Sequence, residues 1–128
     1  MNAPQERRSP SLNAVRVLIE LMEAMRDRLN APEIPAQQVL TFCHVADRAE
    51  LPMAELLKLT GLAQSSVSRT VAKLGQGESP REPGFGLIEA YEDPYFRRRK
   101  LVRLTPRGKE LAKELQRVLV GLERTRLS

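Results

Sequence analysis

Residues 87–108, LIEAYEDPYFRRRKLVRLTPRG, decide how the chain is read. Two segments rich in strand formers, Leu87 to Glu92 and Arg99 to Leu104, flank Asp93-Pro94-Tyr95-Phe96, where Asp and Pro supply turn chemistry. The stretch therefore predicts a β-hairpin. Alternation along its second segment puts Val102 and Leu104 on one face and Leu101 and Arg103 on the other, with Arg97, Arg98, Arg99 and Lys100 crowded at the tip. Thr105 offers a hydroxyl N-cap and Pro106 suits a first helical position, so a helix starts where the hairpin ends. Four adjacent cations are either a solvated edge that discourages strand aggregation or a grip for a polyanion. The upstream sequence separates the two.

A chain of 128 residues fits one domain with one core. Aromatic residues make up 4% and Trp is absent, so the core must come from Leu, Val, Ile, Met and Ala, which favours helices over a sandwich. The net charge of +5, with a pI near 9.9, suits nucleic acid or an acidic surface. That charge is concentrated: from Asp93 to Lys109 the cations Arg97, Arg98, Arg99, Lys100, Arg103, Arg107 and Lys109 face a single carboxylate. One Cys excludes an intrachain disulfide framework and a zinc site built on several thiolates, which fits a reducing cytoplasm. No apolar run approaches the roughly 18 residues of a spanning helix, and the polar N-terminus lacks a signal-peptide core. The expectation is a soluble cytoplasmic protein with no membrane partner.

Residues 1–11 lack apolar periodicity and read as a mobile N-terminal arm. Leu12, Val15, Leu18, Ile19, Met22, Met25 and Leu29 then follow helical spacing, with Asn13 or Ser11 as the cap, and Asn30-Ala31-Pro32 stops the helix. From Pro35 to Ala49, apolar residues cover most of the helix circumference, predicting a largely buried helix. Within it Cys43 reads as a small core hydrophobe rather than a redox sensor, and His44 as a hydrogen bonder rather than a catalyst. No second His or Cys can complete a metal site with them.

A short helix from Pro52 to Leu59 ends at Thr60-Gly61, and a second runs from Gln64 to Leu74. Val67, Val71 and Leu74 line the inner face of the second, leaving Gln64, Ser65, Ser66, Ser68, Arg69 and Lys73 pointing outward. Two short helices about a Gly-containing turn make a helix-turn-helix. Ser permits close backbone approach, Gln can pair with adenine, and Arg can grip guanine bidentately. A merely solvated face would more often carry Glu and Lys, whereas no carboxylate occurs between Gln64 and Gln76, which favours DNA. Residues 75–86, GQGESPREPGFG, read as an aperiodic loop, mobile at its middle. Leu111, Leu115, Val118, Leu119 and Leu122 form a closing amphipathic stripe.

Helix, buried helix, helix-turn-helix, basic hairpin and helix is the order of a winged helix. The motifs LLKLTGLAQSSVSRTVAKL and DPYFRRRKLVRLTPRGKEL resemble the MarR family of bacterial transcription regulators. With the two upstream helices, the similarity covers about four-fifths of the chain. The resemblance implies a mainly α fold with a small β-hairpin wing: a dimerisation helix over 12–30, a winged helix-turn-helix over 34–104, and a C-terminal dimerisation helix over 105–128. It also implies that the first and last helices intertwine into a homodimer through Leu12, Val15, Ile19, Met22, Leu115, Leu119 and Leu122. Gln64, Ser65, Ser66, Ser68, Arg69 and Lys73 would face the major groove of double-stranded DNA. Arg97 and Arg98 first, then Arg99 and Lys100, would reach the flanking minor groove and phosphates. Several positions depart from the family pattern. Phe96 stands where a second acidic residue usually precedes the Arg pair, Ala63 replaces a capping Ser, Thr or Asp, and the 75–86 loop is longer than usual.

The leading expectation is a transcription regulator, a repressor, acting as a homodimer on a pseudo-palindromic operator and associated with the nucleoid. The alternative is a winged-helix interaction module, such as a replication or plasmid accessory factor, that grips a protein through its wing or long loop. An enzyme is not expected: one His, one Cys and no carboxylate cluster or phosphate-binding glycine loop leave no catalytic constellation and no cofactor site. No cluster indicates a small-molecule effector.

Overall fold

The computed structural model describes residues 13–127, so the N-terminal arm expected over residues 1–11, and Leu12, lie outside the described residues. Among the described residues two compact units are present, residues 33–112 and a pairing of residues 13–32 with 113–127.

The larger unit holds α2 (Ala36–Arg48), β1 (Glu50–Pro52), α3 (Met53–Thr60), α4 (Gln64–Leu74), β2 (Gly77–Ser79), β3 (Glu82–Pro83), β4 (Ile88–Glu92), β5 (Lys100–Leu104) and the start of α5 (Pro106–Leu127). Its main sheet is antiparallel in the order β1-β5-β4. Along β4 and β5 the register runs from Ile88 opposite Leu104 to Glu92 opposite Lys100. Phe42 and Val45 of α2, Leu56 of α3, Val67, Val71 and Leu74 of α4, and Leu87, Ile88 and Val102 of the hairpin form the buried core. Each such side chain contributes on the order of 1.5–3 kcal/mol by leaving water.

β1 corrects the sequence reading, which began a helix at Leu51-Pro52. Instead Glu50, Leu51 and Pro52 pair with Arg103, Val102 and Leu101, and Pro52 serves as the N-cap of α3. Pro lacks only a donor that an edge strand can do without. A second correction concerns α2. Thr41, Phe42 and Val45 are buried, but Leu40 is 56% exposed and Cys43 is exposed, so the helix is packed along one side and Cys43 is not core filler. Enough protein surrounds the thiol for desolvation to push its pKa above the ordinary value, which disfavours the reactive thiolate.

The start of α5 is welded to the hairpin. Thr105 Oγ1 accepts from the Gly108 N–H at 3.1 Å, as a capping hydroxyl should, and donates to the Gly86 carbonyl at 2.6 Å. The Thr105 N–H donates to the Leu87 carbonyl at 3.0 Å. Sequence chemistry at Thr105 thus fixes where the second hairpin strand ends and the helix begins.

The smaller unit contains α1 (Ala14–Leu29) and the remainder of α5. Asn13 caps α1, its Oδ1 accepting from the Val15 and Arg16 N–H groups at 2.8 and 3.2 Å. Asn30, at φ 50°, closes it in the left-handed conformation that Asn tolerates best among non-glycine residues. Glu114 accepts from Arg28 at 2.8 Å and from Arg117 at 3.0 Å. The Arg117 hydrogen bond, followed by the charge of Arg28, holds the Glu114 carboxyl below its usual range. Val15 and Leu18 are 68% and 62% exposed, Ile19 and Val120 are exposed, and Met22, Leu115, Leu119 and Leu122 are half-buried.

Candidate nucleic-acid interface

α4 follows α3 through a turn at Gly61, whose φ of 69° is the left-handed value a side chain resists. The Gly61 N–H donates to the Leu57 carbonyl at 2.9 Å, and Thr60 Oγ1 donates to the Leu56 carbonyl at 2.6 Å while accepting from the Leu62 N–H at 3.3 Å. Val67, Thr70, Val71 and Leu74 anchor α4 inward. Gln64, Ser65, Ser68, Arg69 and Lys73 are exposed and Ser66 is half-buried. Arg69 Nε donates to the Ser65 carbonyl at 3.4 Å, a contact too long to hold the guanidinium firmly.

Ala63 precedes α4 in an extended conformation, φ −64° and ψ 154°, and makes no side-chain cap. That geometry already suits a hydroxyl N-cap. Ala63→Ser is expected to stabilise the protein by about 1 kcal/mol, read as a higher urea midpoint at unchanged slope.

The 75–86 segment is not an aperiodic loop. β2 and β3 pair Gly77 with Pro83 and Ser79 with Glu82, and the small hairpin is tied to the end of α4. Phe85 N–H donates to the Lys73 carbonyl at 2.9 Å, and Leu87 N–H to that of Leu74 at 2.8 Å. A Cβ on Gly77 would lie 2.2 Å from the Glu82 carbonyl oxygen, so only glycine allows the two strands to approach. The hairpin draws in one candidate reader: Lys73 Nζ makes an equally long contact, 3.4 Å, with the Pro83 carbonyl, but it also stands over the Phe85 ring, 4.8 Å from its centre, and the ring supplies the second hold that Arg69 lacks. Together with Gln37 and Gln38 of α2, the small hairpin turns the Ser66, Arg69 and Lys73 side of α4 into a polar groove of about 620 Å³. Arg81, Glu78 and Glu82 also line it, and none of them was picked out from sequence. The signal was slight, Gly77 and Pro80 bracketing strands too short to show alternation.

At the tip of the larger hairpin the structure moves the tight turn. Arg99 N–H donates to the Phe96 carbonyl at 2.8 Å, so the turn spans Phe96 to Arg99 with Arg97 and Arg98 at its apex, not Asp93 to Phe96. Asp93 is buried and organises the approach to it. Its Oδ1 accepts from the N–H groups of Tyr95 and Phe96 at 2.8 and 3.3 Å, and its Oδ2 lies 3.6 Å from Arg99 Nε. Arg99 is thereby drawn back along the hairpin, while no ion pair is formed by Arg97 or Arg98 among the described residues. Lower on the sheet, Arg103 donates to Glu89 Oε1 at 2.6 Å and covers the Tyr91 ring at 4.1 Å, bracing the outward face. Both the outward face of α4 and the arginine apex belong to the same compact unit.

No helix among the described residues is long and apolar enough to cross a membrane. No family model matches the sequence, and no curated relative was found for it. Solved structures do match. A transcriptional regulator from Thermotoga maritima aligns over 87% of this chain and 70% of its own, with 22% identity and a TM-score of 0.67. A MepR mutant from S. aureus bound to an oligodeoxyribonucleotide aligns over 87% and 76%, with 20% identity and a TM-score of 0.63. A MarR mutant from E. coli complexed with operator DNA aligns over 88% and 75%, with 19% identity and a TM-score of 0.58. What is shared at this distance is architecture: the chain has the winged helix-turn-helix fold of the MarR-type transcription regulators.

Proposed function

We propose that this protein is a sequence-specific double-stranded DNA-binding regulator of transcription, a repressor that works as a cytoplasmic homodimer on a pseudo-palindromic operator and performs no catalysis. The observation that carries the reading is the outward face of α4, where Gln64, Ser65, Ser68 and Arg69 are exposed on a helix with no carboxylate. Two of the solved structures with this fold are complexes with DNA. On this reading Gln64, Ser65, Ser66, Ser68 and Arg69 read base edges in the major groove, and Lys73 steadies the small hairpin beside them. Arg97 and Arg98 reach the adjacent minor groove and the phosphates that flank it, with Lys100 and Arg99 behind them.

The exposed Val15, Leu18, Ile19 and Val120 supply the apolar surface that a second copy would cover, with Met22, Leu115, Leu119 and Leu122 beside it. Two-fold pairing would set the recognition helices about one turn, roughly 34 Å, apart. Light scattering of the free protein together with anisotropy titration of duplex DNA tests both halves. A dimer whose affinity falls steeply with salt is expected; a monomer, or a salt-independent affinity, contradicts the reading. Arg69→Ala should reduce the preference for a selected duplex over a scrambled one by about 1–3 kcal/mol, while affinity for the scrambled duplex changes little.

A further inference from the structure

The wing tip carries two aromatic side chains in open solvent. The chain holds only three Phe and two Tyr, yet Tyr95 is 87% exposed and Phe96 is 64% exposed, side by side at the end of a rigid hairpin. Leaving large apolar surface in water is unfavourable, and here it is not the result of slack backbone. Buried Asp93 holds both aromatic N–H groups, and the Arg99 N–H holds the Phe96 carbonyl, so the rings are displayed from a braced turn. Arg97 and Arg98 follow immediately at the apex.

We propose that Phe96, with Tyr95 beside it, is a wedge that enters the minor groove and partly unstacks a base step flanking the recognition site. The inference rests on the DNA-binding reading above and adds a deformation of the duplex to it. An apolar ring needs an apolar slot, and within the minor groove the large flat apolar surface is the face of a base, reached by entering between two stacked neighbours. The neighbouring guanidinium groups match the negative potential of the minor groove that leads there. Cations flanking an exposed ring therefore select a nucleic acid over an apolar protein groove. The wedge favours operators with a flexible pyrimidine–purine step under each wing, which gives sequence preference at positions that α4 never touches.

The test uses the full-length protein and a duplex recovered by it from a random pool, with a fluorescent adenine analogue that brightens on unstacking placed at successive flanking positions. The parent protein should raise fluorescence at one step under each wing and slow the mobility of circularly permuted fragments as bent DNA does. Phe96→Ala should abolish both signals and leave the salt dependence of binding unchanged, because every cation remains. Phe96→Leu should keep much of both, since an aliphatic wedge also separates bases. Binding by the parent without any brightening or bending overturns the wedge and leaves the base-reading role of α4 standing. Brightening that survives Phe96→Ala also overturns it. Tighter binding to the separated strand than to the duplex assigns the rings to stacking on single strands and overturns it as well. Absence of any duplex binding by the parent removes the wedge together with the reading it rests on.

Discussion

Arg97→Ala combined with Arg98→Ala should weaken duplex binding by about three to four orders of magnitude at 0.1 M salt. Each lost phosphate contact removes roughly 0.9 from the slope of log affinity against log salt, and hence about 0.9 log units at that concentration. Two cations per protomer in a dimer make four contacts, about 3.6 log units in all if each meets a phosphate. Sequence preference should change far less than affinity, because the loss falls on selected and scrambled duplexes alike. The fold should be indifferent to the change, since the turn is held by the Phe96 carbonyl and the Asp93 carboxylate and not by the two apex side chains. The same pair of substitutions made at Arg99 and Arg103 would be less informative, because those groups are spent on Asp93 and on Glu89 and Tyr91. Fluorescence anisotropy across a salt series reads the slope directly. An unchanged slope contradicts the placement of the wing on DNA.

The second large effect concerns stability. Gly108→Ala lies within α5, where helix propensity alone would favour alanine by about 1 kcal/mol. Sterics reverse the sign. A Cβ at position 108 would lie 2.0 Å from the Leu87 carbonyl oxygen and 3.0 Å from its carbon, and that carbonyl already accepts the Thr105 N–H. Backbone cannot swing aside as a flexible side chain can, so the helix must part from the hairpin and the Thr105 contacts must loosen. A net loss of about 2–4 kcal/mol is expected by chemical denaturation. Gly121→Ala provides the matched control on the same helix: nothing lies within 4 Å of its added Cβ, and a gain of about 0.5–1 kcal/mol is expected. Equal effects at the two positions would show that the contact between Gly108 and Leu87 does not hold the hairpin.

Where structure follows from chemistry within a few residues, the sequence was sufficient. The hydroxyl of Thr105 before Pro106, the Gly61 turn and the inward triad Val67, Val71 and Leu74 each act over about two helical turns or less, and each is found. What escaped depends on distant partners. Glu50-Leu51-Pro52 has no strand pattern of its own and is extended only because Val102 and its neighbours in β5 offer a ladder. The 77–83 hairpin is too short for alternation, and its stability comes from the end of α4 and from glycines that admit close backbone contact. α2 has apolar residues on most sides, and sequence alone could not say that Leu40 and Cys43 would stay outside. The tip turn was displaced by three residues because Asp93-Pro94 is turn chemistry in its own right, and the buried carboxylate uses it to set up the next turn. For the interface, residue types and the facing of α4 were legible, whereas the tethering of Lys73 and the presence of Arg81 in the groove required the small hairpin.

Selection of bound duplexes from a random pool is the measurement that bears most directly on α4 as the base-reading helix of a two-fold assembly. Enrichment of two inverted half-sites with centres about one helical turn apart is expected, each losing its preference at the position read by Arg69 when that residue is Ala. A pool that stays unenriched, or a single asymmetric site indifferent to Arg69, would contradict the account.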